Sequence, residues 1–562
     1  MLMLFPLMAV AQNVTIKGQV VDASGESIPG VNVIQSGTTN GVMTDIDGNF
    51  SLNVAKGAKL TVSFIGYETQ TVTAANGMQI VLREDRKLLD DVVVIGYGTQ
   101  RKEAVTGSVA SVSGGKLMEN PSANITQALQ NRVAGVDMQQ TNSQPGAEMR
   151  IRIRGQRSLS ADNNPLIVLD GIPFNGSLSD INPSDIKTMD ILKDASSTAI
   201  YGSRGANGVI MITTNKGAMG SPAKVTYNGY VGFKTLFSRF PMMNGDELQA
   251  IRDAAGVYSG KMGPDEKAGM NTDWQDMLYR TGVSTSHDVT VNGGTQGGSY
   301  SFGAGYMHDE GVVPTQAFDR ISVRANLDQK VGNYVRLGLT TTNTYNTSDG
   351  THLGLYSALS ASPLLDPYNA DGTEKERLQS VDDYLYPLTK NHLDQIGDNW
   401  VKETTTLGTY NTLWAEVSFP WVEGLKYRAN LGLNYRTTKT GDFTGKGVND
   451  GQNPNNPSGA SDARSENKNW AIENVLTYDH TFAEKHNINV VGMYSAEQTQ
   501  YHGTHMSGRN IPADYFQYYN IGQAVQGTTV NPAYQNSFLA FSMLLPVHWL
   551  LTLCVSLATT KT

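Results

Sequence analysis

Two patterns of apolar and polar positions divide the chain. From Ile16 to Arg83, short alternating runs such as "GVNVIQSG" and "KLTVSFIGYETQTV" are separated by Gly-rich and Asp-containing turns. Strands at this spacing, without a helical period, are typical of a small β-sandwich. We therefore predict a sandwich over residues 12–84.

From about Lys224 the apolar positions repeat with a period of two. In "LKYRANLGLNYR" every second residue from Leu425 to Tyr435 is apolar, and the residues between them are polar, basic or glycine. Such runs are about 9 to 11 residues long, which is the length that a tilted strand needs to cross a bilayer. A soluble antiparallel sheet would alternate in the same way.

Three features favour the membrane over a soluble sheet. The strands recur over residues 222–537 with no predicted helix between them, and Tyr and Trp lie near their ends. The connectors are also unequal, since "WVEG" is short whereas "TGKGVNDGQNPNNPSGASDARSENK" is long and polar. Short turns at one end and long loops at the other predict the N-terminal part of a transmembrane β-barrel of about 22 strands.

The intervening residues 102–217 mix helix and strand signals. "NITQALQNRVAG" predicts a helix that Asn124 caps and Gly135 ends, and "PLIVLDGIPF" predicts a buried strand that turns at Asp170 and Gly171. The fold class is therefore mainly β: a sandwich, an α/β domain and a partial barrel. A domain of this size before a wide barrel is expected to plug its lumen.

Residues 85–101 join the sandwich to the plug. The charged run "REDRKLLDD" leads into a segment rich in β-branched residues, Val92 to Tyr97. A strand on a charged tether can be bound by the sheet edge of a partner through main-chain pairing. It can equally be the first strand of the plug, and the residues alone leave both interpretations open.

Composition and side-chain chemistry exclude several classes of function. A net charge of -9 argues against nucleic-acid binding. His502 and His505 lack the partners of a zinc site, and no Ser, Cys or carboxylate stands in the context of a nucleophile. We predict no enzyme activity, no metal and no cofactor.

Several long motifs resemble the plug region of the SusC/RagA family of TonB-linked outer-membrane proteins of Bacteroidota. They are "DDVVVIGYGTQRK", "NITQALQNRVAGVDM", "IRIRGQRSL", "NPLIVLDGIPF" and "INPSDIKTMDILKDASSTAIYGSRGANGVIMITTNKG". The sandwich resembles the carboxypeptidase-regulatory-like domain that often precedes this plug. The resemblance implies an outer-membrane protein whose sandwich lies in the periplasm.

The same resemblance implies partners and a binding segment. The partners are TonB with its ExbB–ExbD energy complex, and a SusD-like surface lipoprotein over the extracellular mouth. The substrates are oligosaccharides or peptides. The segment that the resemblance assigns to the TonB box consists of Asp91, Val92, Val93, Val94, Ile95, Gly96, Tyr97 and Gly98.

Two further groups of residues are candidates for ligand contacts. Arg150, Arg152, Arg154 and Arg157 are predicted to form a basic ladder, which either lines the substrate path or is solvated between plug and wall. Tyr515, Tyr518 and Tyr519 either stack on sugar rings or, as we favour, pack on their own loop. A signal-transducing receptor is the alternative function, although such receptors usually carry an α/β signalling domain rather than a sandwich.

The two ends of the chain depart from the pattern. Residues 1–11 are predicted to be a signal peptide that lacks its basic start and is therefore incomplete. Residues 538–562 are apolar, contain the single cysteine, Cys554, and lose the period of two. We interpret this tail as the product of a frameshift or an interrupted gene, which would make the chain a non-functional remnant.

Overall fold

The structure is a computed structural model of the chain. It describes residues 13–545 and 553–557, except 23–26, 29, 39, 46, 65–66, 68, 83–91, 96–97, 102–108, 120–124, 131, 141, 157, 160–162, 195–198, 351–352, 354 and 483–485. The predicted signal peptide therefore lies outside the described residues. The chain forms two compact units, Met1–Thr106 and Gly107–Thr562.

The first unit contains a sandwich of two sheets. Its strands are β1 (Asn13–Val21), β2 (Asn32–Gln35), β3 (Gly41–Met43), β4 (Asn49–Ala55), β5 (Lys59–Ser63), β6 (Gln70–Thr73) and β7 (Met78–Val81). One sheet has the order β4-β1-β7 and the other β3-β2-β5-β6. Side chains from both sheets and their connections form a shared apolar core: Ile16, Val20, Ile28, Val31, Val33, Phe50, Leu52, Val54, Leu60, Val62, Ile80 and Leu82.

The same unit ends in a separate hairpin. Strand β8 (Val92–Ile95) pairs antiparallel with β9 (Gly98–Arg101), and the pair forms a sheet of its own. The first strand of the plug's sheet is a later segment, β10 (Val109–Ser113).

The plug combines a five-stranded sheet with short helices. After β10 come α1 (Gly114–Met118), α2 (Ile125–Leu129), β11 (Val136–Gln140), β12 (Met149–Ile153), β13 (Leu166–Leu169), β14 (Ile172–Pro173), β15 (Ile186–Leu192) and β16 (Val209–Thr214). The sheet order is β10-β15-β16-β13-β14, and β11 pairs with β12 in a second sheet. Short 3-10 helices occupy Leu178–Asp180, Pro183–Asp185 and Ala199–Asn207.

Two local predictions in the plug can be compared with this structure. The turn at Asp170 and Gly171 is present, with φ values of 49° and 97°. The helix predicted up to Gly135 is shorter, because α2 ends at Leu129, although Ile125, Leu129 and Val133 are buried together as expected.

An antiparallel sheet of eleven strands forms the wall around the plug. They are β17 (Lys224–Lys234), β18 (Gly282–Thr295), β19 (Gly298–Glu310), β20 (Ala317–Val331), β21 (Val335–Asp349), β24 (Trp400–Ser418), β25 (Leu425–Thr444), β26 (Gly459–Phe482), β27 (His486–Arg509), β28 (Gln526–Leu545) and β29 (Leu553–Leu557), in sequence order. Among the described residues, no helix is both long and apolar enough to cross a bilayer.

The strand lengths correct the sequence prediction. Strands β26 and β27 each have 24 residues, more than the 9 to 11 expected, and the polar run "GASDARSENK" belongs to β26 rather than to a loop. Strand β25 also continues past Tyr435 through Thr437 and Lys439, where the outward face is no longer apolar. Backbone pairing continues there because hydrogen bonds between strands do not require apolar side chains.

The strands of the wall continue past Ser537, the predicted end of the partial barrel. Strand β28 continues through that position to Leu545 and pairs with β27, and β29 pairs with β28. The loss of alternation in the sequence does not end the sheet, because the pairing depends on the backbone.

Long loops join the strands at one end of the wall. They cover residues 235–281, 350–399, 445–458 and 510–525, whereas the opposite ends are joined by short turns. The prediction of no helix between the strands is wrong, because these loops contain α3 (Gly245–Ala255), α4 (Trp274–Leu278), α5 (Leu355–Leu359) and α6 (Lys390–Ile396), and the short strands β22 (Leu378–Gln379) and β23 (Tyr384–Leu385). Helix α3 begins with a capping box between Asn244 and Glu247, and the left-handed Gly256 follows its last residue. These signals lie in the caps and leave no trace in a period of two.

Candidate functional site

The predicted TonB box lies only partly within the described residues. Val92–Ile95 and Gly98 belong to the β8–β9 hairpin, and Val92 is opposite Arg101. Asp91, Gly96 and Tyr97 lie outside the described residues. The strand is separate from the plug's five-stranded sheet, but its role as a binding segment stays a prediction.

The predicted basic ladder is shorter than the sequence suggests. Arg150 and Arg152 lie in β12, opposite Gln139 and Asp137, while Ile151 and Ile153 are buried on the other face. Arg154 has a φ of 58°, so it leaves the strand, and its guanidinium pairs with Asp194. Arg157 lies outside the described residues. Whether the ladder binds substrate stays a prediction.

The polar face of the wall points towards the plug, as the alternation in β25 indicates. Asn434 donates to the carbonyl oxygen of Pro173 at 3.3 Å, and a Cβ on Gly432 would lie 2.6 Å from Ile172. The opposite face exposes large apolar side chains on neighbouring strands: Val323, Leu327, Leu337, Leu413, Leu433, Ile472 and Leu476. An outward apolar band around a polar interior is typical of an outer-membrane barrel.

Asp180 is the centre of a buried network between plug and wall. Its side chain is fully buried and accepts hydrogen bonds from Asn346 at 2.7 Å, Tyr410 at 2.6 Å and Arg436 at 3.2 Å. These three donors come from β21, β24 and β25. The Ser177 backbone amide also donates to Asp180 at 3.1 Å, which closes a capping box. One plug carboxylate therefore binds three strands of the wall.

A second buried group lies one 3-10 helix further along the plug. Arg324 of β20 is 3.9 Å from the Asp185 carboxylate and donates to the carbonyl oxygen of Asn215 at 2.9 Å. Arg320 on the same strand donates to the carbonyl oxygen of Ser179 at 3.1 Å. Burial raises the pKa of Asp185 above its ordinary value, and the charge of Arg324 opposes that rise.

Three more polar contacts lie in the interface. Asn182 donates to Asp288 of β18 and, at 3.3 Å, to the hydroxyl of Ser322. Arg204, between β15 and β16 of the plug, forms an ion pair with Glu497 of β27. Many contacts between plug and wall are thus polar and can exchange their partners for water, beside apolar contacts such as that between the rings of Phe174 and Tyr410, whose centroids lie 4.4 Å apart.

These residues were not predicted from the sequence, although two signals point to some of them. Ser177 and Asp180, and then Asn182 and Asp185, repeat the spacing of a cap and its third residue within "NGSLSDINPSDI". Arg320 and Arg324 lie on the polar face of β20. Neither pattern predicts which plug and wall residues pair with each other, because Asp180 and Arg436 are 256 residues apart.

The remaining candidate residues are two histidines and three tyrosines. His502 and His505 lie in β27 rather than in a loop, and no group of three metal-ligating side chains occurs within the described part of the chain. Tyr518 packs against Phe443, Ile511 and Ile521, as the self-packing interpretation expected. Tyr515 and Tyr519 remain exposed.

Two family models match the chain. The TonB-dependent Receptor Plug Domain matches residues 101–209, and the CarboxypepD_reg-like domain matches residues 16–94. The TonB-dependent receptor SusC of Bacteroides thetaiotaomicron is 43% identical over 327 residues, which are 57% of this chain and 32% of SusC. The TonB-dependent receptor P3 of Formosa agariphila is 33% identical over 539 residues, 91% of this chain and 50% of P3.

A solved structure of the RagAB peptide importer in the 'open-open' state has the same fold. Its TM-score is 0.70 at 24% identity, over 81% of this chain and 54% of that chain. The fold and the buried interface define a plugged outer-membrane β-barrel protein. Together, the two family models, the match to SusC and the RagAB fold support a TonB-dependent receptor of the SusC/RagA type. It spans half or less of the length of the two receptors above.

Proposed function

We propose that the protein imports a large nutrient, an oligosaccharide or a peptide, across the outer membrane in a TonB-dependent manner. The observation that carries this proposal is the polar interface between plug and wall. A plug must move or rearrange before a large solute passes, and Asp180 and Asp185 hold it through contacts that water can replace.

The outer membrane has no ATP, so the force that moves the plug must come from the periplasmic side. We assign the point of attachment to Asp91–Gly98, the predicted TonB box, bound through its backbone by TonB with the ExbB–ExbD complex. The strand Val92–Ile95 supports this role, because it lies outside the plug's own sheet and ahead of it in the chain. A two-stranded hairpin leaves one edge of each strand for pairing with a third.

The extracellular partner in this proposal is a SusD-like lipoprotein, which would deliver the substrate to the long loops. The sandwich would lie on the other side, in the periplasm. The basic residues Arg150 and Arg152 are then candidates for contacts along the path that opens when the plug moves.

The test uses the intact gene with Val93→Pro and, as a matched control, Val93→Thr. Proline removes a backbone N–H and breaks strand addition, whereas threonine keeps both the N–H and a β-branched side chain. We expect the proline variant to lose uptake while substrate still binds at the cell surface, and the threonine variant to transport normally. Uptake that persists with proline contradicts the proposal.

A transcriptional reporter distinguishes an importer from the alternative, a signal-transducing receptor. If proline abolishes the response of a regulator to the substrate but leaves growth on it unchanged, the protein is a signalling receptor rather than an importer.

A further inference from the structure

Two of the long loops fold together into one unit, which we call the loop unit and define as residues 235–281 and 350–399. Glu266, whose side chain is fully buried, receives two hydrogen bonds from Arg252, at 2.8 and 2.9 Å. It also accepts from the hydroxyl of Ser362 in the other loop at 2.9 Å. The indole of Trp274 donates to the carbonyl oxygen of Ser362 at 3.0 Å, so the loops are joined by buried contacts.

A cleft of about 660 Å³ opens between the two loops. This volume lies in the range of pockets that bind small organic ligands, roughly 300–1,000 Å³. Its apolar lining includes Phe240, Met242, Met243 and Tyr356, whose side chains are 62%, 51%, 47% and 80% exposed. Large apolar side chains are unfavourable when exposed to water, and a bound ligand would cover them.

One of these apolar residues is held in place by a buried side chain. The amide of Gln275 accepts from the backbone N–H of Phe240 at 3.0 Å and donates to its carbonyl oxygen at 2.8 Å. Gln275 is itself buried. Phe240 therefore presents its ring from a fixed backbone, and the two flexible methionines beside it can adapt to ligands of different shape.

The charges of the cleft indicate the sign of the ligand. Arg239 is paired with Asp273 and Asp276, at 3.0 and 2.7 Å, and Arg252 is paired with Glu266. Asp382 and Asp383 also line the cleft, and both are exposed. They accept hydrogen bonds from Ser380 and from the Tyr384 amide within their own turn, and Asp382 also interacts electrostatically with Arg252. Five carboxylates at or beside the cleft nevertheless face two guanidinium groups, so its net charge is negative.

We propose that this cleft binds peptide segments in which a basic residue lies next to apolar ones. The apolar side chains of the peptide contact Phe240 and the methionines, and its cation lies near Asp382 and Asp383. A neutral oligosaccharide would satisfy neither the charge nor the methionine surface. This inference rests on the proposed import function for its purpose, and it names a peptide as the substrate class.

The test measures binding to the full chain in detergent, without an energised membrane. The probes are a labelled hexapeptide of two lysines and four leucines, a second in which glutamates replace the lysines, and maltohexaose. We expect the cationic peptide to bind, the other two probes to bind at least tenfold more weakly, and salt to weaken the cationic peptide.

Two variants and one control locate the site. The double variant Asp382→Asn with Asp383→Asn should weaken the cationic peptide about tenfold, since each exposed ion pair contributes up to roughly fivefold. Phe240→Ala should weaken both peptides. Asp394→Asn removes the same charge from an exposed position of the same loop outside the cleft, and should change nothing.

Four outcomes overturn the inference: no binding of the cationic peptide, equal binding of the glutamate peptide, equal binding of maltohexaose, or binding that the double variant leaves unchanged. Because binding is measured without transport, loss of uptake in Val93→Pro and loss of binding in the double variant report on separate proposals.

Discussion

The core of the sandwich and the interface between plug and wall are both buried, but the interface contains many more polar side chains. The sandwich packs apolar side chains such as Val20, Leu60 and Val62 against one another. The hydroxyl of its buried Thr44 donates a hydrogen bond to the carbonyl oxygen of Ile28. The interface buries carboxylates and guanidinium groups, among them Asp180 and Arg324. An apolar core loses its stabilisation in proportion to the area exposed, whereas polar groups recover hydrogen bonds from water when they separate.

Under the proposed import function, this difference indicates that the interface opens and the sandwich core does not. The sandwich is expected to stay folded while force passes through the chain that follows it. The interface can separate with a smaller loss, provided that every polar partner is released at the same time.

The largest expected effect comes from removing one partner of the interface. Asp180→Ala leaves Asn346, Tyr410 and Arg436 without their shared acceptor, and loss of one member of a buried charged pair costs about 3 to 5 kcal/mol. Hydrogen exchange of amides in residues 177–185 should therefore accelerate by about a hundredfold or more. Asp180→Asn, which keeps one acceptor oxygen, should show a smaller change, and equal exchange in both variants would contradict this account.

A slightly smaller effect is expected in the sandwich. Leu60 is fully buried, and Leu60→Ala should lower the free energy of unfolding of residues 12–84 by about 2 to 4 kcal/mol, measured in urea. Val81→Ala is the control, because Val81 is 44% exposed and its truncation should change stability by less than about 0.5 kcal/mol. A similar loss of unfolding free energy in both variants would show that the apolar core does not determine the stability of the sandwich.

The smallest effect concerns the buried ion pair of the loop unit. Burial alone would raise the pKa of Glu266, but the hydrogen bonds from Arg252, Gly263 and Ser362 outweigh it and hold the pKa below its usual value of 4.5. The pair therefore stabilises the loops above pH 4.5, and that contribution is lost as the pH falls through the lowered pKa. The fluorescence of Trp274 should shift to the red in acid, and Glu266→Gln should remove this step. A step that survives in Glu266→Gln would assign it to another group.

The sequence predicts the faces of the wall strands better than their ends. Alternation from Leu425 to Tyr435 correctly places Asn434 and Arg436 on the plug side. It fails beyond Tyr435, because Thr437 and Lys439 face outward with polar side chains and the period of two disappears while the strand continues. Helix α3 was missed for a different reason, since its signal lies in its caps rather than in its apolar positions.

The buried network was the least predictable part. Asp180 accepts hydrogen bonds from Asn346, Tyr410 and Arg436, which lie 166 to 256 positions away in the sequence. No local sequence pattern predicts contacts between residues so far apart, because the partners meet only after the plug and the wall have folded together. The role of Val92–Ile95 stays a prediction, as does that of Arg150 and Arg152.

The placement of the connectors has an evolutionary consequence. Tight turns at one end fix the register between neighbouring strands, so an insertion there would shift every inward residue relative to the plug. The loops at the other end, such as residues 235–281 and 350–399, can lengthen or be exchanged without altering that register. Under the proposed import function, the substrate that the loops bind can therefore change during evolution while the wall strands stay unaltered.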